Sequence, residues 1–94
     1  MSNKPLFKLG QTLATPGASE AMETTGDNPA HYLSRHVTGD WGEVCEEDKA
    51  ANDADLANGR RLLSAYTLSD GETKIWTITE WDRSATTILL PSEY

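Results

Sequence analysis

From Arg60 onward the hydropathy of the chain repeats every second residue, and that period limits what the chain can fold into more than any other feature. Leu62, Ser64, Tyr66 and Leu68 alternate with Leu63, Ala65 and Thr67, as in a strand whose two faces meet different surroundings. Ser69-Asp70-Gly71-Glu72 interrupts the pattern, and Asp70-Gly71 is a dipeptide favoured in two-residue hairpin turns because both positions tolerate positive φ. A partner strand is expected over Thr73–Glu80, where Ile75, Trp76 and Ile78 stand among threonines. The polar corner Trp81-Asp82-Arg83-Ser84 then leads to a third strand, Ala85–Leu90, which Pro91 stops. The C-terminal part of the chain is therefore expected to be a three-stranded antiparallel meander.

The residues before Gly59 follow a helical grammar. Thr15-Pro16 pairs a side chain able to accept an orphan backbone N–H with a proline at the first helical position. Ala18, Ala21 and Met22 give this helix a small apolar stripe, and Thr24, Thr25 and Gly26 end it. Asp27-Asn28-Pro29 repeats the device, with Leu33 and Val37 four apart and Tyr32 and His36 beside them. Gly39 suits the left-handed position that closes a helix, and Asp40-Trp41-Gly42 makes a tight corner. Met1–Pro5 is polar and expected to fray. Leu6, Phe7, Leu9 and Leu13, with Gly10 and Thr12 among them, suit a short strand free to join a sheet edge. The fold class is α+β: one domain over residues 1–94, with a short N-terminal strand, two to three short helices and the meander. A chain of 94 residues buries only ~60 to 65% of its unfolded surface, which is one core without a deep cleft.

Between Gly39 and Gly59 the chain concentrates its charge. Asp40, Glu43, Glu46, Glu47, Asp48, Asp53 and Asp55 stand against Lys49 alone, carrying six of the seven formal net negative charges. On a helical wheel Glu43, Glu46, Glu47 and Asp53 share one face, while Trp41, Val44, Cys45 and Leu56 fall on the core side. Asp48, Asn52 and Asp55 also fall there, in conflict with burial unless they bond to backbone, to Arg60 or to Arg61. A break in the helix between Cys45 and Asn52 removes the same conflict. From Glu43 to Asp55 a continuous helix rises about 18 Å, roughly five base pairs of duplex, so its carboxylates can stand in for phosphates before a basic groove. Asp40, Glu43, Glu46, Glu47, Asp53 and Asp55 are the candidate partner-binding residues. The bland alternative is a solvated face that keeps a small protein soluble.

Catalytic and metal chemistry find little support in these residues. Cys45 with His36 and Asp40 spells a nucleophile, base and orienting acid, yet Glu46, Glu47 and Asp48 beside the thiol favour its neutral form, so Cys45 reads as a half-buried structural residue. His31 and His36 lie five apart, off the spacing that puts two ligands on one helical face, which leaves a weak zinc set with Cys45. Asp53, Asp55 and Asn58-Gly59 do not reproduce a calcium loop. Tyr66, Trp76 and Trp81 read as core or sheet-face aromatics, not as platforms for nucleobases, because an acidic chain is repelled by phosphate. Lone Cys45, the absence of a signal-like segment at Met1–Leu6, and the lack of a long apolar run point to a reducing cytoplasm. No cofactor and no membrane contact are expected.

Read end to end, the chain resembles a family of small proteins encoded on bacterial plasmids and other mobile elements, usually labelled plasmid-related or hypothetical. The resemblance rests on Phe7-Lys8-Leu9-Gly10, on Ala14-Thr15-Pro16-Gly17-Ala18, and on Arg35-His36-Val37 leading to Gly39-Asp40-Trp41-Gly42. It continues through Val44–Asn52, Arg61–Leu68, Asp82-Arg83-Ser84 and the ending Thr86–Tyr94. Trp81 is larger than the residue expected before Asp82-Arg83. The resemblance implies no catalytic residues. It implies a context in which accessory genes antagonise host defence; joined to the acidic row and to the lack of a workable catalytic constellation, the expectation is a non-enzymatic DNA mimic of anti-CRISPR or anti-restriction type, a monomer or weak homodimer. Its partner would be a basic nucleic-acid-handling protein, a CRISPR effector or a restriction enzyme.

Overall fold

Two proline-led helices follow the first strand and start where their capping residues require. In the computed structural model, which describes residues 4–94, helix α1 (Pro16–Thr25) is capped by Thr15, whose hydroxyl accepts from the Ala18 amide, and closed by Gly26 in the left-handed region. Helix α2 (Pro29–Val37) is capped by Asn28, whose side chain accepts from the Ala30 amide. Asp27 is not the cap. Its carboxylate accepts from the hydroxyls of Thr25, Tyr32 and Ser69 and from the Ser69 amide, fastening the α1–α2 junction to the far hairpin. The expected fraying of Met1–Pro5 falls mostly outside the described residues; Lys4 and Pro5 carry no regular structure.

The sheet corrects the expected three-stranded meander. Strands β1 (Gln11–Ala14), β2 (Leu62–Thr67), β3 (Lys74–Thr79) and β4 (Ala85–Leu89) form one four-stranded mixed sheet in the order β1-β4-β3-β2. β2 pairs with β3 and β3 with β4 antiparallel, while β1 lies parallel to β4, Gln11 beside Ala85 and Ala14 beside Ile88. The parallel direction is possible because the helices after β1 supply the long connection that such pairing needs. Gly10, at φ 67°, lets β1 start against the β3–β4 turn, since a Cβ there would stand 2.3 Å from the Ser84 carbonyl oxygen. The β2–β3 turn is wider than a two-residue hairpin: Leu68 bonds Thr73 across Ser69–Glu72, and the Asp70 side chain accepts from the amides of Glu72 and Thr73.

Strand alternation decides which residues the helices cover. Tyr66, Leu68, Ile75 and Ile88 face α1 and α2 and close on Ala18, Met22 and Tyr32. Within the same layer His36 is wholly buried, with Nδ1 2.5 Å from the Ser64 hydroxyl and Nε2 2.8 Å from that of Thr79. Thr79 meets Thr86, whose hydroxyl donates to the Leu9 carbonyl, so a polar chain crosses the sheet from α2 to the N-terminal segment. Phe7 and Trp41 pack their rings around the imidazole.

Helix α3 (Glu46–Asn58) runs beside the outer edge of β2. Asn52, buried as the wheel demanded, donates to the Leu63 carbonyl and accepts from the Leu63 amide. The next outward-facing pair on that edge, at Ala65, is taken by the Trp41 carbonyl and the Glu43 amide. Gly42 sits between them at φ 73°, where a Cβ would stand 2.0 Å from the Ala65 carbonyl oxygen. The β2 edge is thus covered, as an edge strand must be if it is not to recruit another strand.

Candidate interaction surface

The helix begins at Glu46, three residues later than the acidic row requires. Glu43 precedes it in the segment bonded to β2, and its carboxylate reaches Lys74 at 2.8 Å and the Thr67 hydroxyl at 2.6 Å. Asp40 pairs with Arg35 at 2.7 Å and also accepts from the Gly42 amide. The Arg35 guanidinium holds the Asp40 carboxyl below its usual range, and Lys74 does the same for Glu43. Both are ionised groups already answered by a cation. Asp53 lies two turns on from Glu46 on the same side of the helix and is exposed, but its carboxylate accepts from the Trp41 indole N–H at 3.0 Å. Asp55 is half-buried near the helix end.

What stays free is the first turn of α3. Glu46 has a side chain 92% exposed with only a 3.5 Å contact to Lys49, and Glu47 and Asp48 make no hydrogen bond among the described residues. These three follow one another around the helix and do not form a row. They also have a local role: the Cys45 cap makes no side-chain bond, and acids in a first turn favour the positive end of the helix. Cys45 is exposed, not half-buried. The possible nucleophile, base and acid are not assembled, since both nitrogens of His36 are engaged by hydroxyls and Asp40 is engaged by Arg35. Among the described residues no three His, Cys, Asp or Glu side chains cluster as metal ligands, and no helix is long and apolar enough to cross a membrane.

A second surface lies on the sheet. Opposite the helices, the alternate residues Leu63, Ala65, Trp76, Ile78, Thr87 and Leu89 form a mainly apolar face, of which Ile78 and Leu89 are buried and which the Thr67–Lys74 pair bounds at one end. Trp76, Ala65 and Leu63 are half-buried, and the ring of Tyr94 meets Trp76 edge-on at 5.4 Å. Of the three aromatics noted in the sequence, Tyr66 is core, Trp76 belongs to this second face, and Trp81 stands 67% exposed on the β3–β4 turn. The sequence held a signal for the second face. Leu62-Leu63, Ile75-Trp76 and Ile88-Leu89 each put apolar residues on both sides of a strand, whereas short helices cover only one.

The arrangement defines an α+β domain of three helices and a four-stranded mixed sheet. Compared with known proteins, the chain matches no family model, no curated protein and no solved structure.

Proposed function

We propose that the chain is a non-enzymatic accessory protein that binds a basic, nucleic-acid-handling protein, with its net charge of −7 steering the encounter and its apolar sheet face supplying the contact. The observation that carries this is the second sheet face: Leu63, Ala65, Trp76 and Thr87 stay half-buried on a side that α1 and α2 do not cover. Aromatic and aliphatic groups held on rigid strands are what interface centres are made of. The resemblance to proteins of mobile elements supports a partner in host defence, a CRISPR effector or a restriction enzyme.

Direct mimicry of phosphates is favoured by a separate observation, the three free carboxylates Glu46, Glu47 and Asp48. It is weakened by the pairing of Asp40, Glu43 and Asp53. The experiment titrates purified restriction enzymes and CRISPR effectors with the chain and follows displacement of their DNA. Ala65→Glu and Thr87→Glu put a charge on the sheet face and should weaken binding by about tenfold or more, about 1.4 kcal/mol, in proteins whose circular dichroism is unchanged. Reversing Glu46, Glu47 and Asp48 to lysine should slow association and leave the complex formed. Folded sheet-face variants that bind like the parent would overturn the proposal, and loss confined to the charge reversal would establish mimicry instead.

A further inference from the structure

The two edges of the sheet are treated differently. β2 is closed by Asn52 and by Trp41–Glu43, whereas β1 is exposed at all four of its residues. Gln11 and Thr15 donate their amides to Ser84 and Ile88 of the β4 side. Strand alternation therefore turns the N–H and C=O groups of Thr12 and Ala14 outward. Gln11-Thr12-Leu13-Ala14 holds no charge, no proline and no bulge; of the devices that protect an edge strand it has only its shortness, at four residues. Beside this edge, on the helix side, opens an apolar cleft of about 210 Å³ lined by Thr12, Leu13, Ala14, Pro29, Leu33 and Ile88.

We propose that this edge and cleft together form a peptide-binding site, at which an extended segment of a partner protein adds a fifth strand beside β1 and drops one large aliphatic or aromatic side chain between β1 and α2. Main-chain bonds to Thr12 and Ala14 hold the segment, and the cleft selects its side chain. A second copy of the chain fits poorly. Its own β1 offers only Thr12 and Ala14 on the helix-facing side, too small to fill the cleft, and it brings a net charge of −7 to a chain of the same net charge. The segment is thus neutral or basic, with leucine, isoleucine, methionine or phenylalanine at the cleft. The site is separate from the Leu63, Ala65 and Trp76 surface, which lies on β2 and β3.

The test is fluorescence anisotropy with a panel of short labelled peptides that alternate threonine with one of those four residues between lysine ends. At least one should bind, and methylating the backbone nitrogens on its bonding edge should weaken it by about tenfold or more. Thr12→Pro removes an amide that faces solvent, and Ala14→Trp fills the cleft; each should abolish binding. The proposal fails if no peptide binds, if the methylated peptide binds equally well, or if folded Thr12→Pro retains binding. It also fails if sedimentation shows a dimer that Thr12→Pro dissolves, for then a second copy occupies the edge. Should Thr12→Pro not fold, the methylated peptide still decides the matter.

Discussion

His36 shows how much one side chain constrains this fold. Burial, reinforced by Arg83, pushes its pKa from 6.5 down to about 4, because the cation has no water and no carboxylate to meet it. A base whose folded pKa lies below its unfolded value binds protons preferentially when unfolded. Stability is therefore full above about pH 6.5 and falls as pH drops toward 4, by about 3 kcal/mol in all. Urea denaturation at stepped pH should show that slope, and His36→Gln should flatten it; an unchanged slope would mean that another group carries the proton. Asp27 has the opposite sense: hydrogen bonds from Thr25 and Ser69 lower it to about 2, so what it contributes is lost only below pH 4. Trp41, 4% exposed, packs on Phe7 and His36 and donates to Asp53. Trp41→Ala should cost about 3 to 5 kcal/mol and free α3 from the sheet; an unchanged melting temperature would contradict its place in the core.

At the scale of elements, β2 and α3 depend on one amide. Asn52→Ala leaves the Leu63 N–H and C=O without their partner, at a cost of about 1 to 3 kcal/mol. Hydrogen exchange at Leu63 should rise before exchange in β3 or β4 does, and uniform exchange would show that the helix is held elsewhere. Arg83 closes the other end of α3. At φ 60° it aims its guanidinium at the carbonyls of Asp55 and Arg60, where a cation suits the negative helix terminus. Much of this was legible beforehand: the proline-capped starts of α1 and α2 and the strand period after Arg60 are local signals, and the residues carry them alone. The parallel seat of β1 was not legible, because pairing with β4 depends on a connection through three helices. Nor was the start of α3, since Glu43 is drawn into the β2 edge by Ala65 and Lys74, and a helical wheel cannot register bonds from outside the helix. The helical row is cut short at Glu46 for that reason, and Asn52 resolved its own conflict through the backbone of a strand.

Across the whole molecule, charge and apolar surface are separated. Carboxylates gather around α3 beside the β2 edge, the helices bury one sheet face, and the other face holds Trp76 and Leu89. Under the proposed function, long-range attraction falls to α3 and short-range affinity to the sheet. Raising salt should then slow association with a basic partner, because exposed charges are screened beyond about 8 Å, and should change dissociation little. The measurement that tests the central claim most directly is calorimetric titration, over a range of temperatures, of a restriction enzyme or CRISPR effector that the chain displaces from DNA. Burial of the sheet face predicts a negative heat-capacity change that Thr87→Glu diminishes. A heat-capacity change near zero, with affinity that vanishes in high salt, would contradict the account and leave the carboxylates of α3 as the whole of the interaction.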